Sequence, residues 1–321
     1  MQPDKEQLEA RLHYPLVQAL PEPGRALVVA PGVKWLRMAL PFALDHINLW
    51  LLRDTQDGCE GWTAVDCCIA HDASKAQWES IFANELEGLP VLRVVVTHMH
   101  PDHIGLAHWL CQRWTTAQHD CRLWISATDH AMACIASQST TGFGGETAAA
   151  FFAAQGLTDA DQLAQIRGRT SYYPNLVPAV PRQYRRLMDG GQLSIGGRAW
   201  QCISGYGHAP EHMALHCPEL GVLISGDMVL PSHGKPFTGL HERIQQLKDH
   251  HADRLAEVLE ACQARPCSAA DILPVMFKRP LDLHQTTFAM GEAVAHLHRL
   301  WQGGQLVRSR GVDGVFRFLT V

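Results

Sequence analysis

Six consecutive residues, His98-Met-His-Pro-Asp-His103, carry the most specific chemistry in this 321-residue sequence. Neutral imidazole and carboxylate are the ligands that Zn²⁺ prefers where no thiolate is offered. The segment follows Val91-Leu-Arg-Val-Val-Val-Thr97, a β-branched run short enough to be a buried strand. In an extended stretch His98 and His100 point the same way, because side-chain direction repeats every two residues. Asp102 and His103 fall where the chain turns into a helix, so they can face a neighbouring point. One short segment can thus serve two metal ions, as in two-metal hydrolytic sites. The bland alternative is a His-rich loop tip without metal.

The surrounding pattern sets up this segment. A strand over 91–97, a helix over 104–114 and a strand over 122–126 argue for an α/β layer architecture, in which ligands gather at the carboxyl ends of strands. Earlier strands are expected at 26–30, 46–52 and 62–69. A helix over 74–86 places Trp78, Ile81, Phe82 and Leu86 on one stripe. Residues 129–188 are Ala-rich, then Pro-rich, and form either a lid over a site or a helical insertion that adds core. Strands resume at 192–204, 213–217 and 221–225. From 240 the sequence predicts helices over 240–262, 268–277 and 284–301, then a hairpin over 305–310 and 315–320. That order suggests a small winged-helix-like domain, dividing the chain at 1–239 and 240–321. The first of these helices offers Ile244, Leu247, Leu255, Val258, Leu259 and Cys262 for burial.

The His98–His103 segment resembles the H-x-H-x-D-H signature of the metallo-β-lactamase superfamily. Gly207-His208-Ala-Pro-Glu-His212, Ser225-Gly-Asp227 and Ser232-His233-Gly234 are similar to three further segments of that family. The tail from 240 resembles the winged-helix-like domain of one of its branches. The resemblance implies an αββα sandwich that hydrolyses esters, thioesters, lactones, amides or phosphodiesters with one or two bound metals. Residue by residue, it implies His98, His100 and His208 for a first metal and Asp102, His103 and His233 for a second, with Asp227 bridging them. Two Zn²⁺ per chain are expected, although iron and manganese accept the same donors. The implied nucleophile is a hydroxide between the metals, since coordination lowers the pKa of water to about 7. Asp102 would orient it and take up a proton.

The pattern departs from the family in the second half. Only five residues separate Asp227 from His233, where the family usually has a helix and a strand, so the second half-sandwich is expected to be shortened. Six extended residues still reach roughly 20 Å, enough to deliver His233. If they do not, water or one of His241, His250 and His251 would replace it. Asp66 ends a strand where the family often has Asp-Thr-Gly; Cys67-Cys68 replaces the last two, predicting a changed turn. Those thiols are read as buried cysteines, because adjacent strand side chains point apart. His212 is expected to be a structural partner and Gly142-Phe-Gly-Gly145 a flexible joint. His296 and His298 are expected on the surface or in packing. Tyr206 either packs or donates to an oxyanion in the substrate.

Composition bounds the function. Apolar residues make up 46% and charged residues 18%, the balance of a globular chain with a substantial core. The net charge of −5 asks for neither nucleic acid nor an anionic membrane. Ten cysteines without one C-x-x-C pair, and no basic-then-apolar start, point to a cytoplasmic protein with reduced thiols. A metal-dependent hydrolase of a small ester, thioester or lactone leads. A nuclease on the same scaffold is second: residues 241–321 carry ten Lys/Arg against nine Asp/Glu, with Arg308, Arg310 and Arg317 on the hairpin. A non-catalytic scaffold with a degraded metal site is third. The tail is expected to pack on the catalytic domain or build a homodimer.

Overall fold

The computed structural model describes residues 5–17, 19–140, 144–225 and 230–321. Its larger sheet runs in chain order: β1 (Ala26–Ala30), β2 (Val33–Ala39), β3 (His46–Gln56), β4 (Cys59–Val65), β5 (Val91–Val95), β6 (Arg122–Ser126) and β7 (Tyr184–Leu187). The first four strands form an antiparallel meander and β4 to β7 are parallel. A second, antiparallel sheet has the order β11 (Val222–Ile224), β10 (His212–Cys217), β9 (Arg198–Gly205), β8 (Gln192–Ile195).

Side-chain alternation explains why the sheets stack. Trp35, Trp50, Val65 and Val95 are successive cross-strand neighbours. All four enter one core with Leu193, Trp200, Met213 and Leu215 of the second sheet. The opposite face of the larger sheet buries Leu51, Ala64 and Val94 beside α2 (Asp72–Asn84) and α4 (Ala107–Trp114). Within that stack β5 is buried on both faces, as its β-branched run predicts, and Arg93 is its one charged residue, buried as well. Its guanidinium meets Asp54 Oδ2 at 2.6 Å and donates to the Ser194 carbonyl at 2.5 Å, joining the two sheets.

The result is the expected mixed α/β sandwich. Two strands, β2 and β7, were not expected. The single run over 192–204 is instead a hairpin, because Gly196 and Gly197 adopt φ of 60° and 74°, the positive pair that a tight two-residue turn requires. Among the described residues, no further helix or strand intervenes between Ile224 and His233 beyond an isolated bridge of Ile224 to Leu230.

The chain separates into two compact units, residues 1–139 with 173–240, and residues 140–172 with 241–321. The division thus differs from a single cut at 239/240, since most of the insertion belongs with the tail. The first unit also holds α1 (Lys5–Glu9), the short α3 (Pro101–Ile104) and α5 (Ala127–Gln138). In the second, α6 (Gly145–Ala154) and α7 (Ala160–Gly168) contribute Ala148, Phe152 and Ile166 to one apolar core; α8 (Tyr172–Leu176) marks the return to the first unit. That core also takes residues from α9 (Leu240–Ala264), α10 (Ala269–Met276), α11 (Leu283–Gln302) and the hairpin β12 (Leu306–Arg310) and β13 (Phe316–Thr320). Adding core is therefore what this insertion does within its own unit. Along α9, Val258 and Cys262 are buried, as is Gln246, while Ile244, Leu247, Leu255 and Leu259 are only partly so. No helix of the described residues is long and apolar enough to cross a membrane.

Candidate metal centre

The His98–His103 segment begins three residues after β5, at the carboxyl end of a parallel strand, where α/β sheets place their sites. Pro101 opens α3, its fixed φ suiting the first helical position, and so turns Asp102 and His103 away from His98 and His100. Gly105 completes this turn. A Cβ there would sit 2.6 Å from the Cys68 carbonyl and the Ile69 Cα, so the backbone packs on the 66–70 turn as only glycine permits.

Two clusters result. In the first, His98, His100 and His208 bring ring nitrogens within 4.8 Å of one another; His98 Nε2 lies 3.0 Å from His100 Nδ1 and 3.2 Å from His208 Nε2. In the second, His103 Nε2 and His233 Nε2 each lie 3.5 Å from Asp102 Oδ2. The clusters share a wall, since the rings of His98 and His103 are 3.9 Å apart between centroids. His233 therefore arrives across the short loop. Asp227 lies outside the described residues.

The hydrogen bonds beneath the clusters assign the protons. Thr97 Oγ1 contacts both oxygens of Asp66, at 3.1 and 3.0 Å, and Asp66 can only accept, so Thr97 donates its one proton there. Thr97 must then accept from His98 Nδ1 at 3.0 Å, leaving the His98 Nε2 lone pair facing the other two imidazoles. His103 Nδ1 donates to Asp66 Oδ2 at 2.8 Å, which turns its Nε2 toward Asp102. These are the carboxylate–histidine arrangements that orient metal ligands. The ring nitrogens of His98, His100 and His208 converge to within 4.8 Å of one another, a spacing that one divalent cation can bridge. The donor set, imidazole and carboxylate without thiolate, fits zinc or a similar divalent ion.

Electrostatics agree with this assignment. Burial and the neighbouring imidazoles push the His98 pKa well below the histidine range, so its lone pair is free at neutral pH. Burial alone would raise the Asp102 carboxyl; His103, His233 and His100 outweigh it and hold the pKa below the carboxylate range. Burial raises Cys67 well above the usual thiol value and Cys68 to about 11, so neither supplies a thiolate. In their turn Asp66 and Cys68 adopt φ of 61° and 69°, a left-handed geometry uncommon outside glycine.

Other expectations fare variously. His212 sits with its ring 5.0 Å from that of His98, outside both triads. Tyr206 is 73% exposed, which is not a packing position. Gly144 packs against the Arg169 backbone, with which a Cβ there would collide; Gly142 and Phe143 of the expected joint lie outside the described residues. His296 bonds the Glu292 carbonyl at 2.8 Å, and His298 meets Trp301 edge-on and Phe318 at a tilt.

Sequence reasoning missed Asp129. Buried at the start of α5, it accepts from the Met99 amide at 2.8 Å and the Glu211 amide at 2.7 Å. One carboxylate thereby ties the loop of His98 and His100 to the loop of His208. Its signal is Ser126-x-x-Asp129 after an apolar strand, a helix start whose acid faces inward.

Fold and site together define a two-sheet α/β sandwich with a paired metal-ligand centre at one strand end. A family model for the metallo-beta-lactamase superfamily matches residues 43–265, and one for the metallo-beta-lactamase-like C-terminal domain matches 255–321. The chain belongs to the metallo-β-lactamase superfamily. A beta-lactamase domain protein from Burkholderia ambifaria is 48% identical, with a TM-score of 0.90 over 98% of this chain and 99% of that one. A metallo-beta-lactamase family protein from Thermus thermophilus is 23% identical, with a TM-score of 0.68 over 92% of this chain and 100% of that one, and shares the fold.

Proposed function

We propose that the two triads hold two Zn²⁺ ions and that the chain hydrolyses a small ester, thioester or lactone. The observation that carries this reading is the pair of three-donor clusters sharing the His98–His103 wall. When bound, the ions supply an activated water and a Lewis acid for the substrate carbonyl. Asp102, kept ionised by three imidazoles, would orient such a water and take up its proton. Thr97 and Asp66 fix the ring orientations of His98 and His103. Asp227 is the proposed bridging ligand, and Tyr206, exposed two residues before His208, the proposed contact to substrate.

The charge balance supports a small-molecule substrate over nucleic acid. The hairpin arginines also have internal partners: Arg308 lies 4.0 Å over the Trp301 ring, Arg310 lies over Phe316, and Arg317 pairs with Asp313 at 2.7 Å. The test is a panel of thioesters, esters and lactones with RNA and DNA as controls. Turnover of a member of the panel is expected, abolished by chelation and by Asp102→Ala. Activity that survives Asp102→Ala overturns the proton role. Turnover of nucleic acid alone overturns the substrate class, and a metal-loaded protein inert throughout is a scaffold.

A further inference from the structure

The loop that carries His233 is anchored to the start of β3 largely through the residues that flank His233. The Asn48 amide N–H donates to the Ser232 carbonyl at 2.6 Å. Asn48 Nδ2 donates to the carbonyls of Pro231 at 2.6 Å and Gly234 at 2.9 Å, so the side chain spans His233 from both sides. Its Oδ1 accepts from Trp35 Nε1 at 2.8 Å. The orientation is forced: a flipped amide would set its oxygen against two carbonyls and its NH₂ against the indole N–H. Asn48 is fully buried, so its bonds have no water to replace them.

His46 completes the hold. Its carbonyl accepts from His233 Nδ1 at 2.7 Å, and its Nε2 accepts from the Gly234 amide at 2.8 Å. Asp45 Oδ1 lies 2.6 Å from His46 Nδ1 and accepts the proton that this arrangement places there. With Nδ1 of His233 committed to a carbonyl, its Nε2 is left to face Asp102. Gly234, at φ 95°, permits the turn immediately after the ligand.

We propose that Asn48, assisted by His46, is a positioning residue that sets the orientation of His233, doing for this short loop what a longer connection with its own helix and strand would do by packing. The inference rests on the dinuclear reading above. Neither residue belongs to a triad; both act through the loop.

The test uses the full-length chain stripped of metal and titrated with Zn²⁺ alone, alongside amide hydrogen exchange of the metal-free protein. Wild type is expected to take up two ions and to protect the Gly234 amide. In Asn48→Asp, nearly isosteric but with a carboxylate against two carbonyls, Gly234 exchange should quicken at least about tenfold. Its second ion should bind roughly 10–100-fold more weakly, the range for losing a group that orients a ligand, with the first unchanged. His46→Ala, which removes one bond at a half-buried position, should show the same selectivity with a smaller loss and decides the matter if Asn48→Asp does not fold. A purely structural role would weaken both ions alike. Unchanged Gly234 exchange and unchanged second-ion affinity in the folded variants overturn the clamp. A wild type that takes up fewer than two ions while Gly234 is protected overturns the dinuclear reading instead.

Discussion

The two triads offer equal numbers of donors but are held in unlike ways. His98, His100 and His208 stand on two loops that a single buried carboxylate, Asp129, ties together. Asp102, His103 and His233 combine a helix start with a separate loop that is bonded to β3 through Asn48 and His46. In the first, Asp129 bonds both loops at once, whereas in the second the joining bonds are divided between two residues. Local changes should therefore separate the two, and the first should fail more abruptly.

The largest expected effect follows from Asp129→Ala. It leaves the Met99 and Glu211 amides without their acceptor in a buried setting, a loss of about 3 kcal/mol in stability by the usual values for bonds to a charged group. Denaturant unfolding should show that loss, and Zn²⁺ titration should show the first ion more weakened than the second. Equal weakening of both would contradict the comparison. Next comes Gly105→Ala, which drives a methyl into the backbone of 68–70 and should cost on the order of 2 kcal/mol. It bears on both triads, because α3 moves as a piece, and a thermal melt without change would show that the packing is looser than described.

Asp66→Asn sharpens the contrast from below. His103 Nδ1 meets the carboxylate directly, whereas His98 reaches it through Thr97. The second ion should therefore weaken by about tenfold or more and the first by less, read by competition with a chelator. The smallest effect lies in the second unit, where Arg317 holds Asp313 down to a pKa of about 2. A depressed folded-state pKa contributes stability above the unfolded value near 4 and loses it as the pH falls toward 2. Hydrogen exchange in the hairpin should quicken over that window and leave both triads' loops unaffected by this pair.

What could be read from the sequence follows the range of the interactions. The His98–His103 segment was legible because its strand period and turn lie within six residues, and the strand over 91–95 because β-branched residues there are buried on both faces. The approach of His233 was only a question of reach, because the bonds that deliver it come from residues 46 and 48, nearly two hundred positions earlier. Asp129 and Asn48 escaped for the same reason: a buried acid or amide reads as an ordinary polar residue until its distant backbone partners are known. The 196–197 hairpin was legible in principle, since Gly-Gly between alternating runs is a turn signal. The allocation of 140–172 to the second unit was not, because Ala148, Phe152 and Ile166 could as well have faced any apolar surface.

The central claim, two complete triads reached despite the short loop to His233, is tested most directly by metal content per chain. Mass spectrometry on protein purified without added metal or chelator should find about two zinc ions per chain. One ion or none in well-folded protein would contradict it.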